Sequence, residues 1–261
     1  MKYGFIGCGN MGGAIARAMS SRTKDIAVSD RSGKAKALAA ELGISYWGAE
    51  KIAQECDRIF LAVKPYMMAE VLKPLQKILK QKKPLLITMA AGLEIQKIEE
   101  FAGGDLPVIR IMPNTPTAVG KGVIPYRAND RVSGEVLADW LADMVPCGLL
   151  DSLEERLMDA VSALSGCGPA YVYLMLEAMA DGAVACGIPR AKAMDYAAMT
   201  LSGAAEMYLS THQHPGALKD AVCSPGGSTI VGVRTLEEHG FRGAVMDCIQ
   251  AAYEKNQALG K

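Results

Sequence analysis

Short apolar runs alternate with amphipathic segments along the first half of the chain. The runs are rich in β-branched residues and nearly continuous in apolar character, which is typical of strands buried on both faces of a sheet. Strands are predicted at 3–6, 26–29, 58–63, 85–90 and 108–112, with helices at 10–21, 33–42, 49–55, 66–80 and 94–102. This alternation predicts a parallel sheet with helices on both faces.

The pattern changes near residue 150. Up to that point, residues 122–126 and 147–150 are predicted to add edge strands, with a helix over 133–145 between them. Beyond it no strand pattern occurs, and helices are predicted at 153–164, 169–187, 189–210, 215–222, 229–239 and 241–258. We therefore predict an α/β domain over residues 1–150 and an all-α domain over residues 151–261.

Composition narrows the class of protein. The 261 residues carry 28 basic and 28 acidic side chains without blocks of one sign, which argues against nucleic acid or an anionic membrane as a partner. The first residues lack the pattern of a signal peptide. The most apolar helix, 169–186, is interrupted by Glu177 and Asp181, so it is expected inside the protein or in a subunit interface. A cytoplasmic protein is expected.

Cysteine and histidine usage predicts neither disulfides nor a metal site. The seven cysteines are scattered singly and form no Cys-x-x-Cys pair, which favours reduced, buried thiols. His212 and His214 lie in a polar loop with no third ligand nearby, and His239 stands at a predicted helix end.

A glycine-rich stretch follows the first predicted strand directly and begins a helix. Gly7 permits the turn, Gly9 lets the backbone approach a pyrophosphate, and Gly12 allows close strand–helix packing. This context predicts a Rossmann-type dinucleotide-binding domain. The cofactor-binding candidates here are Ile6, Gly7, Cys8, Gly9, Asn10, Met11 and Gly12.

The end of the second predicted strand leaves the choice of coenzyme open. Asp30 is placed to accept hydrogen bonds from the ribose 2′-OH of NAD. Arg31, with Ser32 and Lys34, is placed to bind the 2′-phosphate of NADP. Arg31 tips the prediction slightly toward NADP.

Three later strand ends are predicted to reach the same ligand, because ligands of open α/β sheets lie beyond the carboxyl ends of the strands. Small residues at these strand ends let the nicotinamide ribose approach. The prolines around Asn114 make its loop stiff, which suits a side chain that orients the nicotinamide carboxamide. Lys64 is equally well explained as a solvated lysine, and Asn114 as part of a rigid loop. These candidates are Ala62, Val63, Lys64, Pro65, Ala90, Gly92 and Asn114.

A second glycine-rich turn lies more than two hundred residues downstream, at 224–229. Pro225 and the paired glycines exclude regular structure just before Ser228 and Thr229, which favour helix starts. The turn should point backbone N–H groups outward at a helix N-terminus, where a small anionic substrate can bind. Ser224 adds a third hydroxyl.

Five stretches of the chain carry a family pattern: 4–12, 62–65, 112–116, 164–171 and 214–237. Together they resemble the pyrroline-5-carboxylate reductase family. The first is shared by many dehydrogenases, whereas the last, which contains the turn at 224–229, is close to diagnostic. Cys167 departs from the family pattern, where serine is usual, so this chain lacks the hydroxyl at that position.

The resemblance implies reduction of Δ1-pyrroline-5-carboxylate to L-proline by NADPH or NADH. It implies a helical domain that interlocks with a partner's in a homodimer, or in a higher assembly of dimers, with both chains contributing to each site. In the family the turn holds the substrate carboxylate, and the hydroxyl matching Thr229 lies near the ring nitrogen. Thr229 is thus the catalytic candidate; the substrate-binding candidates are Ser224, Gly226, Gly227, Ser228, Thr229 and Ser165.

Two rival functions fit parts of the pattern. β-Hydroxyacid dehydrogenases share the two-part layout but carry a lysine in the first long helix of the second domain, and residues 168–187 contain none. A non-catalytic NAD(P)-sensing module would not need the turn at 224–229.

Overall fold

The structure is a computed structural model that describes residues 2–259. Within those residues, eight strands form one sheet in the order β3-β2-β1-β4-β5-β6-β7-β8. The strands are β1 (Tyr3–Ile6), β2 (Ile26–Ser29), β3 (Ser45–Tyr46), β4 (Arg58–Leu61), β5 (Leu85–Thr88), β6 (Val108–Ile111), β7 (Gly122–Ala128) and β8 (Gly148–Ser152). The predicted strands are therefore present, and the two-residue β3 was not predicted.

Strands β1 to β6 run parallel, so their carboxyl ends lie along one edge of the sheet. Strand β1 lies between β2 and β4, with Phe5 in register with Val28 on one side and Phe60 on the other. The strand order reverses at β1, since β2 and β3 lie on one side of it and β4 to β6 on the other. Ligands of doubly wound sheets bind at such a switch point, so the carboxyl end of β1 is the expected ligand position. Strand β7 departs from the parallel expectation, because it runs antiparallel to β6.

Two hydrophobic cores cover the two faces of the sheet. Tyr3 and Phe5 pack with Ile15 in one core, and Ile6 packs with Ile52 in the other. Successive side chains of a strand point to opposite faces, so β1 contributes to both cores. The predicted covering of both faces is confirmed.

Thirteen α-helices occur in the described residues. They are α1 (Asn10–Met19), α2 (Lys34–Leu42), α3 (Ala49–Glu55), α4 (Met68–Leu72), α5 (Gln76–Lys82), α6 (Ile95–Ala102), α7 (Gly134–Met144), α8 (Met158–Val161), α9 (Gly168–Ala185), α10 (Arg190–Thr211), α11 (Pro215–Ala221), α12 (Ser228–Glu238) and α13 (Phe241–Leu259). The helix predicted over 66–80 is divided into α4 and α5 by the 3₁₀ turn Lys73–Leu75. Pro74 explains the break, because proline lacks the N–H that an α-helix needs there.

The chain divides into two compact units, Met1–Cys167 with Ala252–Lys261, and Gly168–Ala251. The strands end at Ser152, close to the predicted boundary at 150, but the first unit also includes α8 and the π-helical turn Ser162–Gly166 that follows it. The functional domain boundary stays a prediction.

The second unit has a small core of its own and a large apolar surface. Helices α9 and α10 pack together through the buried alanines Ala180, Ala193 and Ala197. Most of the large apolar side chains of the unit are exposed: Val172, Tyr173, Leu174, Met175, Met194, Tyr196, Met199, Met207, Tyr208, Leu209, Val222, Ile230, Val231, Leu236, Phe241, Val245 and Met246. An apolar surface of this extent is typical of a protein–protein contact. Across residues 2–259, no helix has both the length and the apolar character needed to cross a bilayer.

Candidate active site

A cleft of about 970 Å³ lies in the first unit. Segments that follow β1, β2, β4, β5 and β6 line it, as expected for the ligand site of a doubly wound sheet. The predicted cofactor residues that line it are Ile6, Gly7, Cys8, Gly9, Asn10, Met11, Asp30, Arg31, Ala62, Val63, Lys64 and Pro65.

The glycines of the first turn have three distinct surroundings. Gly7 adopts a φ of +104°, which side chains disfavour, and an added Cβ would lie 2.6 Å from the carbonyl oxygen of Ala62. At Gly12 an added Cβ would overlap the carbonyl oxygen of Gly7. At Gly9, the residue before α1, it would meet no atom within 4 Å.

The open space at Gly9 fits a bound pyrophosphate. Gly9 is exposed, and no side chain caps the N-terminus of α1. The first-turn N–H groups of a helix bind anions when no side chain occupies them. Gly7 and Gly12 are thus required by the fold, whereas Gly9 leaves room for a ligand.

Cys8 lines the cleft without being reactive. Its side chain is buried, and burial together with the charge of Asp30 raises the pKa of the thiol to about 12. The thiol therefore stays neutral at physiological pH and acts as a small apolar group.

The Asp30 carboxylate is engaged in the loop between β2 and α2. It accepts hydrogen bonds from Ser32 Oγ at 2.7 Å and from the Gly33 N–H at 3.1 Å. The neighbouring Arg31 donates from Nη2 to Glu70 Oε1 at 2.8 Å. Sequence reasoning missed Glu70, which lines the cleft from α4 and carries no motif that would mark it.

Two predicted residues near β5 lie outside the large cleft. Ala90 is buried, and it is Ala91 that lines the cleft. Gly92 lines a second cavity of about 400 Å³, also within the first unit. Ser162 reaches this smaller cavity and was not among the predicted residues. The prediction chose Ala90 and not Ala91 because a run of small residues does not show which side chain faces the cleft.

Asn114 and Ser165 are buried and joined to each other. The side-chain amide of Asn114 donates to the carbonyl oxygen of Ser165 at 2.9 Å, and Ser165 Oγ donates to the carbonyl oxygen of Val161 at 2.9 Å. Ser165 belongs to the π-helical turn Ser162–Gly166. Such turns are frequent at functional sites, and here the buried amide holds the turn in place.

The predicted turn before α12 is present in the second unit. Gly226 has a φ of +68°, and the Gly227 N–H donates to the carbonyl oxygen of Ser224 at 3.0 Å. Helix α12 begins at Ser228, and no side chain caps it. Its first-turn N–H groups are therefore available, and Thr229 lies exposed in the first turn.

Two models of known protein families match different parts of this chain. The family model for pyrroline-5-carboxylate reductase dimerisation matches residues 155–259. A second family model, described as NADP oxidoreductase coenzyme F420-dependent, matches residues 2–92.

One sequence relative and two solved structures extend over nearly the whole chain. The pyrroline-5-carboxylate reductase of Escherichia coli (strain K12) is 41% identical over 266 residues, which cover 100% of this chain and 98% of its own. The crystal structure of Plasmodium falciparum pyrroline carboxylate reductase with NADP bound has a TM-score of 0.88 at 34% identity, covering 100% of this chain and 98% of that one. A pyrroline-5-carboxylate reductase from Coxiella burnetii has a TM-score of 0.91 at 31% identity, with the same coverage.

Proposed function

This chain belongs to the pyrroline-5-carboxylate reductase family, and we infer that it reduces Δ1-pyrroline-5-carboxylate to L-proline with NADPH. The observation that carries the inference is the 41% identity to the Escherichia coli reductase along the full length of both chains. The cleft at the glycine turn supports a dinucleotide, and the NADP-bound relative from Plasmodium falciparum supports NADPH as the reductant, with NADH as the alternative.

The reaction makes modest demands on acid–base groups. When bound, NADPH supplies a hydride to the imine carbon, the ring nitrogen keeps or takes up one proton, and the C=N double bond becomes single. The basic imine can arrive already protonated. The protein then has to hold the substrate carboxylate, orient the ring and offer a hydrogen bond at nitrogen.

We propose the turn at 224–229 as the carboxylate site. The uncapped N-terminus of α12 and the left-handed Gly226 support this role, because they leave backbone N–H groups free to bind an anion. The hydroxyls of Ser224 and Ser228 add further donors. The family resemblance assigns the hydrogen bond at the ring nitrogen to Thr229, whose side chain is exposed in this turn.

In the first unit, the glycine turn is proposed to hold the pyrophosphate. The open space beside Gly9 supports this assignment. Lys64 is exposed at the cleft and is proposed as a further cofactor contact. The assignment of Asn114 as a cofactor residue stays a prediction, and its side-chain amide is already hydrogen-bonded to Ser165. The same holds for Ser165 as a substrate contact, since its hydroxyl bonds to Val161.

The family match over 155–259 indicates a homo-oligomer. We propose a homodimer, or a higher assembly of dimers, in which both chains contribute to each active site. The exposed apolar side chains of α9 and α10 support this proposal, because a monomer would leave them in water. A cytoplasmic location is proposed as well, and the seven unpaired cysteines support it.

A matched pair of substitutions tests the assembly. Leu174 in α9 is 69% exposed and Leu149 in β8 is 61% exposed. Leu174→Asp should reduce the mass measured by light scattering to that of a monomer and abolish turnover, whereas Leu149→Asp should preserve both. A wild-type monomer with full activity would overturn the dimer proposal.

Purified protein assayed with several substrates tests the function against its rivals. NADPH oxidation that depends on pyrroline-5-carboxylate and yields L-proline is expected, and no oxidation of β-hydroxyacids with NADP is expected. Helix α9 contains no lysine, which supports the second expectation. Turnover of a β-hydroxyacid instead would indicate the dehydrogenase, and NADPH binding without turnover of any imine would indicate a sensing module.

A further inference from the structure

An ion pair spans the cleft where the adenosine ribose of the coenzyme is expected. Arg31 follows β2 and Glu70 lies in α4, after β4, with Nη2 and Oε1 2.8 Å apart. Both residues line the cleft. Strands β2 and β4 flank β1 on opposite sides, and the ion pair joins the segments that follow them.

The pair involves Arg31, the residue on which the sequence prediction of NADPH mainly depends. A 2′-phosphate bound beyond β2 would be recognised by the planar donors of Arg31. In this structure the Arg31 guanidinium is directed to a carboxylate of the protein. The Asp30 carboxylate instead accepts hydrogen bonds from Ser32 and Gly33.

We propose that Glu70 is a coenzyme-specificity residue that competes with the 2′-phosphate of NADPH for Arg31. This inference rests on the cofactor site of the proposed function. NADH has no 2′-phosphate, so the pair stays intact when NADH binds. NADPH has to displace Glu70 from Arg31 and leave its carboxylate near a phosphate dianion. Glu70 therefore lowers the affinity for NADPH relative to the affinity for NADH.

The exposure of both partners makes the exchange feasible. The side chains are 68% and 62% exposed, and an ion pair in contact with water contributes little to stability. A phosphate, like a carboxylate, can accept two parallel charge-assisted hydrogen bonds from a guanidinium, so it is able to replace Glu70 as the partner of Arg31. Glu70 thus weakens NADPH binding without preventing it.

Calorimetric titration of the wild type and of Glu70→Gln with NADPH and with NADH tests the proposal. The substitution keeps the size of the side chain and removes its charge. We expect the NADPH Kd to fall about 3- to 10-fold and the NADH Kd to change less than about 2-fold. An unchanged ratio of the two Kd values would overturn the proposal.

The same substitution made in Arg31→Gln distinguishes competition for Arg31 from simple repulsion between Glu70 and the 2′-phosphate. If Glu70 acts through Arg31, Glu70→Gln should improve NADPH binding several-fold more when Arg31 is present than in Arg31→Gln. Equal improvement in both backgrounds would overturn the competition. Glu41→Gln is the matched control, because Glu41 pairs with Arg17 on the exposed surface outside the cleft. It should leave both Kd values unchanged.

Failure of this inference and failure of the proposed function give different results. If the wild type binds both nucleotides and reduces pyrroline-5-carboxylate, but Glu70→Gln leaves the Kd ratio unaltered, only the role of Glu70 is wrong. If the wild type binds neither nucleotide, the cofactor site and the role of Glu70 are both wrong. Matching melting temperatures for the variants show that a change in Kd does not come from unfolding.

Discussion

Asn114 donates its side-chain amide to the carbonyl oxygen of Ser165 at 2.9 Å, while its Oδ1 accepts from the Val123 N–H at 2.8 Å. The side chain is buried, and both ends of the amide are engaged. Asn114 therefore ties the loop after β6 to the π-helical turn and to the start of β7. This structural role competes with the sequence prediction that Asn114 orients the nicotinamide carboxamide.

Replacement of Asn114 separates these two roles. Asn114→Ala should lower the free energy of unfolding by about 2–3 kcal/mol, because it leaves the Ser165 carbonyl and the Val123 N–H without their partner. The NADPH Kd of the folded protein should change little. Denaturant titration and calorimetry measure the two quantities. Unaltered stability with a clearly raised NADPH Kd would support the carboxamide role instead.

Gly9 and Gly12 should respond in opposite ways to the same substitution. Gly9→Val should fold normally, because the added side chain enters open space, and should raise the NADPH Kd strongly by occupying the pyrophosphate position. Gly12→Val should fail to fold, because its Cβ would overlap Gly7 and lie 2.7 Å from Ala62 Cβ. A folded Gly9→Val protein with wild-type NADPH affinity would refute the cofactor assignment.

Local chemistry explains why the first turn was predictable from sequence. The roles of Gly7 and Gly12 follow from backbone sterics within a few residues of a strand end, and so does the turn at Gly226. The break at Pro74 follows from the same kind of rule, although a long amphipathic pattern concealed it.

Long-range pairing explains what the sequence did not reveal. Arg31 and Glu70 lie 39 positions apart and meet only because the sheet order brings the segments after β2 and β4 together. The bond between Asn114 and Ser165 spans 51 positions. Ser45–Tyr46 is too short for a periodic signal. No local pattern marks partners of this kind.

The buried carboxylate of Asp143 should make stability depend on pH. Burial acts to raise the pKa of Asp143, but hydrogen bonds from Lys2 and Tyr3 outweigh it and hold the pKa below the ordinary value of 3.8. A lowered pKa stabilises the folded state above the unfolded pKa, and this contribution is lost as the pH falls through the folded value.

Asp143→Asn should therefore lower the free energy of unfolding by about 1.5–3 kcal/mol at pH 7, because it removes a charged hydrogen-bond acceptor. The difference from wild type should shrink as the pH falls below about 4. Denaturant titrations across this range measure it. Asp139→Asn is the control with a more exposed side chain and should cost less. A difference that is independent of pH would contradict the account.

Thr229 carries the most specific catalytic prediction. If its hydroxyl bonds to the ring nitrogen during hydride transfer, Thr229→Ala should lower kcat by about 10- to 100-fold. Thr229→Ser should retain much of the rate, and NADPH binding should hardly change in either variant. Helix capping does not explain such a loss, since no side chain caps α12. If Thr229→Ala is as fast as the wild type, the backbone N–H groups of the turn act alone.

The central claim is that this protein reduces a cyclic imine that it recognises by its carboxylate. The most direct test compares kcat/KM of the wild type, with NADPH, for Δ1-pyrroline-5-carboxylate and for 1-pyrroline, which lacks the carboxylate. We predict one L-proline formed for each NADPH consumed, and a kcat/KM for 1-pyrroline lower by about 100-fold or more, since a charged substrate group is lost. No NADPH consumption with pyrroline-5-carboxylate, or equal kcat/KM for the two imines, would contradict the account.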